Sequence, residues 1–176
     1  MRIAVLYNFD FAHLPEGVER RSQDAILGVR AAVEAALCAR GAQVRSIPVA
    51  SAPADFVPEL LAERPELVVN LCESFAGEAR GEMLVPGLLD LTGLAYTGSG
   101  PLALTLALHK DKAKALLRGC GVTTPDSALI ERLPDLEQVS VALPAIVKPA
   151  REDASIGIDR HSVVRDKSLR AVLRPP

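Results

Sequence analysis

The sequence predicts an α/β chain built on a parallel sheet. Short apolar runs alternate with segments of helical period along its first half. Those runs are apolar throughout rather than alternately, as expected of strands covered on both faces. The connections between them are long enough to hold helices, so right-handed βαβ crossovers are expected.

Arg2–Tyr7 reads as the first buried strand. Ser22–Arg40 reads as a helix, with Ile26, Val29, Val33 and Leu37 recurring three and four apart as one apolar stripe. Ser22 suits its N-cap and Gly41 its C-terminal cap. Val44–Val49 is a second strand, Asp55–Arg64 a short helix, and Leu67–Leu71 a third strand of central type. Leu84–Leu91 is a leucine-rich helix that tolerates Pro86 near its first turn, and Leu94–Thr97 is a fourth short strand. Lys110–Cys120 is a basic helix closed by Gly119 and Gly121. Beyond it come strand candidates at Ala128–Glu131, Pro144–Lys148 and His161–Val164, and helix candidates at Asp135–Val139 and Ser168–Leu173. The expected division is 1–121 and 122–176. The second part has too few helices to cover its strands, which marks it as incomplete.

The bulk chemistry narrows the function. In 176 residues, 49% are hydrophobic and 24% charged, a globular balance. A formal net charge of −2 gives no electrostatic case for nucleic acid or an anionic membrane as partner. No apolar run has membrane-spanning length, and the N-terminus reads as a strand rather than a signal peptide, so a cytoplasmic protein is expected. Cys38, Cys72 and Cys120 are too few and too widely spaced for a disulfide framework or a zinc site. The first strand runs into Asn8-Phe9-Asp10 rather than G-x-G-x-x-G, which argues against NAD or FAD.

Two lysines stand out by their positions. Lys148 lies within Ile146-Val147-Lys148-Pro149, where its neighbours read as buried, and Lys110 opens the basic helix. Glu73 and Glu78 follow the third strand, at the edge where open parallel sheets bind ligands, and suit a substrate ammonium group.

Three segments, in this order, carry a family resemblance: Leu94-Ala95-Tyr96-Thr97-Gly98-Ser99-Gly100; His109-Lys110-Asp111-Lys112-Ala113-Lys114; and Ile146-Val147-Lys148-Pro149 with the loop through Asp153-Ala154-Ser155-Ile156-Gly157. Together they resemble the D-alanine–D-alanine ligases of the ATP-grasp superfamily. The resemblance implies a Rossmann-like, pre-ATP-grasp domain followed by an incomplete ATP-grasp central domain. It implies ATP as cofactor, held by Lys110, Lys148, Ser155 and Gly157, with Mg2+ ligands lying outside this chain. It implies ligation through an acyl phosphate, in which an amine attacks to form an amide. Lys112 and Lys114 are read as helix surface. Glu19, with Glu16 near it, lies where the family carries a substrate-orienting glutamate. Members are often homodimers and serve peptidoglycan biosynthesis. The chain departs from the pattern at His109, where the family has Asp, at Ala154, where it has Ser, and at Asn70–Ser74, where it has a His-Gly pair. These changes fall on the substrate side. The chain alone is expected to give no turnover. The alternatives are a non-catalytic nucleotide- or partner-binding module, or a ligase for another amino acid or carboxylate.

Overall fold

The computed structural model describes residues 1–9, 18–132, 134, 135, 139–152 and 157–165, with only the backbone for 18–24. They divide into two compact units, Met1–Thr105 and Leu106–Pro176.

The first unit is built on a parallel sheet. Strands β1 (Arg2–Asn8), β2 (Gln43–Val49) and β3 (Leu67–Leu71) lie in the order β2-β1-β3. The central strand is therefore β1, and its Ile3, Ala4, Val5 and Leu6 are buried. Leu6 stands opposite Ile47 of β2 and Asn70 of β3. The predicted fourth strand, Leu94–Thr97, is reduced to a parallel bridge between Val68 and Tyr96. It rests on two bonds, from the Val68 amide to the Ala95 carbonyl at 2.8 Å and from the Thr97 amide to the Val68 carbonyl at 2.9 Å. The polypeptide reaches the Gly98 turn, at φ +96, before a longer ladder can form.

Helices α1 (Val18–Cys38), α2 (Pro53–Glu63) and α3 (Leu84–Thr92) follow β1, β2 and β3 in turn. Phe56 and Leu60 of α2 and Val85 and Leu89 of α3 join Ala4, Leu6, Ile47, Val49, Val68 and Cys72 in one core cluster. Each fully buried aliphatic or aromatic side chain there contributes roughly 1.5–3 kcal/mol of transfer free energy. Cys72 is thus a core residue.

Several expected details change. Helix α1 begins before Ser22, so Ser22 lies inside it and is not its cap. Of the expected stripe, Ile26 is buried but Val29 is 47% exposed. Helix α2 starts two residues earlier than expected, with Pro53 in its first turn and the Asp55 carboxylate accepting from the Ala52 amide at 2.9 Å.

Helix α4 (Pro101–Leu108) leads into α5 (Lys110–Gly119). In the second unit α5 precedes a two-stranded antiparallel pair, β4 (Ala145–Ile146) and β5 (Val163–Val164). Both strands are shorter than predicted. A 3-10 turn over Arg160–Ser162, capped by the Asp159 carboxylate, occupies the start of the expected His161–Val164 strand. Ala128–Glu131 forms no strand, because no segment among the described residues offers it a ladder of hydrogen bonds. Most of the expected 135–139 helix and all of the 168–173 helix lie outside the described residues. No helix among the described residues is long and apolar enough to cross a membrane.

Candidate functional site

The C-terminal edge of the first unit's sheet carries the loop from Cys72 to Gly81. Two asparagines fix its beginning. The Asn70 side-chain oxygen accepts from the Cys72 amide at 3.1 Å. The Asn8 side-chain oxygen accepts from the Glu73 amide at 2.6 Å and the Ser74 amide at 3.3 Å. The Asn8 amide group donates to the Ser74 carbonyl at 2.8 Å. Asn8 is only 4% exposed, so it satisfies three backbone groups away from bulk water. Glu73 itself is exposed on this pinned backbone.

The loop then closes on itself. Phe75 and Glu78 exchange two backbone hydrogen bonds of 3.1 Å across Ala76 and Gly77, at φ +54 and +76. Two central residues of positive φ define the tight hairpin turn that suits twisted strands. Ala76 is strained there, since a Cβ costs roughly 1–2 kcal/mol in the left-handed region. Gly81 packs so tightly on Phe75 that a Cβ would lie 2.7 Å from the Phe75 Cβ. Glu78 bonds to Arg80 at 3.0 Å, both exposed, a pair worth roughly 0–1 kcal/mol. Glu19 lies on α1 and its side chain is outside the description.

In the second unit, Lys110 is tied to the segment after β4. Its backbone amide reaches the Ala150 carbonyl at 3.4 Å, and its ammonium donates to the Glu152 carbonyl. The helix start thus meets the same segment that begins at Lys148. Lys148 is exposed just past β4, and Ile146 is 49% exposed, so the expectation of buried neighbours fails on that side. A two-residue strand leaves one face of Ile146 without a covering layer among the described residues. Gly157 returns the loop at φ +69, where a Cβ would stand 3.1 Å from Pro149 Cγ. Glycine is needed there on both counts. Ser155 lies outside the described residues. Lys114 and Arg118 both donate to the Pro125 carbonyl, at 2.8 and 2.7 Å, and so brace the chain leaving α5. His109 caps α5 in position only, and its buried Nδ1 makes no hydrogen bond among the described residues.

No family model matches the chain. The D-alanine–D-alanine ligase of Methylorubrum extorquens is 34% identical over 136 residues, covering 77% of this chain and 41% of that enzyme. D-alanine–D-alanine ligase B of Pseudomonas putida is 35% identical over 159 residues, covering 89% of this chain and 45% of the relative. This chain is D-alanine–D-alanine ligase-like. It spans less than half the length of these two relatives. The D-alanine–D-alanine ligase from Bacillus anthracis shares its fold, with a TM-score of 0.66 at 22% identity over 98% of this chain and 52% of that one. The VanG D-Ala:D-Ser ligase of Enterococcus faecalis does so with a TM-score of 0.64 at 18% identity, over 98% and 58%.

In this D-alanine–D-alanine ligase-like chain the Gly-Ser-Gly turn follows Tyr96 and bends at Gly98, at φ +96. The Tyr96 hydroxyl donates to the Asp90 carboxylate at 2.8 Å, which raises the phenol's pKa. A Cβ on Gly100 would lie in ordinary contact with that hydroxyl, at 3.6 Å. Among the described residues no group of three or more His, Cys, Asp or Glu is arranged to hold a metal ion. Asn8, Asn70 and Gly81 do not stand out in the sequence. An asparagine at or next to the C-terminal end of a mainly apolar strand is the available signal for the first two.

Proposed function

We propose that this chain supplies nucleotide-binding and substrate-facing elements of an ATP-dependent carboxylate–amine ligase. In that reaction a carboxylate oxygen attacks the γ-phosphorus of ATP and ADP departs. The amine of a second substrate then attacks the acyl carbon, phosphate leaves, and the amine proton passes to solvent or a base. The observation that carries the reading is the tie between Lys110 and the segment beginning at Lys148. It holds one candidate cation against the segment after Lys148, which Gly157 also approaches, at Pro149, within the second unit. Phosphate oxygens favour such an arrangement, because lysines act as point charges and loop amides donate to anions. Relatives carrying the D-alanine–D-alanine ligase name, and the structure of the Bacillus anthracis D-alanine–D-alanine ligase complexed with ATP, support the same class.

Glu73 and Glu78 then serve a substrate ammonium group, and the substrate is a small amino acid. The reading extends to a cytoplasmic protein, a homodimer, and peptidoglycan precursor synthesis. Turnover belongs to a polypeptide that also supplies the remaining length of the relatives, including the magnesium ligands.

Calorimetric titration of the full chain with ATP tests the nucleotide part. Lys148→Ala and Lys110→Ala are each expected to weaken binding about tenfold or more, since a hydrogen bond to a charged group is worth roughly 1.5–3 kcal/mol. Lys112→Ala is expected to change it less than twofold. Absence of ATP binding, or equal effects of all three variants, overturns the proposal.

A further inference from the structure

We infer that Asn8 is a positioning residue for amino-acid recognition, acting through the backbone of Cys72–Ser74 to hold Glu73 in place. This rests on the reading of Glu73 as the group that meets a substrate ammonium.

The inference starts from what Asn8 costs and what it does. It is the last residue of the central strand, after the buried apolar run Ile3–Leu6 and Tyr7, and it is 4% exposed. A buried amide is unfavourable unless its donors and acceptors are matched. Here its side chain is matched to one short stretch, whose residues are 65 and 66 positions away in the sequence. Asn70, in the register opposite Leu6, holds the Cys72 amide from the neighbouring strand. Three consecutive amides, of Cys72, Glu73 and Ser74, are therefore bound by two side chains that project from sheet strands.

The consequence concerns Glu73. An exposed glutamate on a free loop loses rotational and backbone freedom when it clamps an ammonium, and that loss subtracts from affinity. On a backbone fixed by the sheet, the backbone part of that loss has been met during folding. The loop's far side is fixed as well, by the Phe75–Glu78 turn and the Gly81 contact with Phe75. A carboxylate held at the C-terminal edge of a parallel sheet is placed where ligands of such sheets bind. Asn8 touches no ligand in this scheme. It sets the geometry of the residue that does.

The test is a double-mutant cycle on the full chain, using D-alanine and D-serine as amino-acid probes and propionate as the control without an ammonium. Binding is followed by NMR titration. Glu73→Gln and Asn8→Ala are each expected to weaken amino-acid binding about tenfold, as for the loss of one charge-assisted contact. The double variant is expected to be no weaker than Glu73→Gln alone, because residues acting in series do not add. Propionate binding is expected to stay unchanged in all variants. Amide exchange at Glu73 and Ser74 is expected to rise at least tenfold in Asn8→Ala, with Val5 and Leu6 unchanged. If Asn8→Ala proves too unstable, Asn8→Leu serves, since it keeps the size of the side chain and removes both the acceptor for the two amides and the donor to Ser74. Unchanged affinity in the Asn8 variant, or losses that add to those of Glu73→Gln, overturns the role of Asn8 alone. Unchanged affinity in Glu73→Gln, or no binding of either amino acid to the wild-type chain, overturns the reading on which it rests and this role with it.

Discussion

Replacing Gly81 by alanine places a methyl carbon 2.7 Å from the Cβ of Phe75 and 2.8 Å from its carbonyl oxygen. Neither neighbour is the tip of a flexible side chain, so the backbone must give way. A normal carbon–carbon contact is about 3.5 Å or more, so Phe75 has to retreat by roughly 0.8 Å. Its two bonds to Glu78 already stand at 3.1 Å and break with that shift. Each is worth about 1 kcal/mol. The alanine recovers roughly 0.4–1 kcal/mol by narrowing the unfolded ensemble. The net loss is about 1–1.5 kcal/mol, within the usual range for overpacking of roughly 1–3. Urea unfolding followed by circular dichroism reads it, and with a slope of about 2 kcal/mol/M the midpoint falls by about 0.6 M. Gly87→Ala is the control. It sits inside α3 with no atom within 4 Å of its added Cβ. Helix propensity predicts that it stabilises by up to about 1 kcal/mol. If Gly81→Ala unfolds at the same midpoint as Gly87→Ala, or above it, the close approach of Gly81 to Phe75 is refuted, and with it the rigidity of the loop carrying Glu73 and Glu78.

Three other outcomes are expected. Phe56→Ala removes a fully buried ring from the core cluster and should cost about 3–5 kcal/mol, measured by the same urea titration; a loss below about 1 would mean that Phe56 is not in the core. Gly157→Ala combines a left-handed backbone at φ +69 with a 3.1 Å approach to Pro149, and should cost about 1–2 kcal/mol. Faster amide exchange at Val147, whose N–H bonds to the Ser162 carbonyl at 2.8 Å, reports it. Asp159 is held below the usual carboxylate range, first by its hydrogen bond with the His161 side chain and then by the His161 amide. A pKa lowered on folding means that the folded state binds this proton less tightly. The contribution of Asp159 is therefore present above the unfolded value near 4 and is lost as pH falls through the folded one. A carboxyl-carbon NMR titration should give Asp159 a midpoint below that of an unstructured peptide, and Asp159→Asn, which keeps the cap, should remove this step from the acid unfolding profile.

The alternation of apolar runs and helix-period segments was enough to give an α/β chain with a parallel sheet, because strands covered on both faces leave that pattern without reference to neighbours. The motif spacing likewise gave the relation to D-alanine–D-alanine ligases. Pairing was another matter. Which strand lies beside which is set by tertiary contact: β1 sits between β2 and β3, and β3 gains its second parallel neighbour only at the short Val68–Tyr96 bridge. Ala128–Glu131 has strand-like composition but no partner among the described residues, and Val29 keeps helical spacing yet faces solvent. The candidate site divides in the same way. Glu73, Glu78, Lys110 and Lys148 could be picked out as charged residues at strand ends and helix starts. The residues that hold their surroundings in place could not. Asn8 binds Glu73 and Ser74 across 65 and 66 positions, Gly81 is a glycine because Phe75 lies against it, and Lys110 reaches Glu152 across 42. A local pattern reports what a residue prefers over one or two turns of chain, whereas these contacts exist only after the sheet has brought distant segments together.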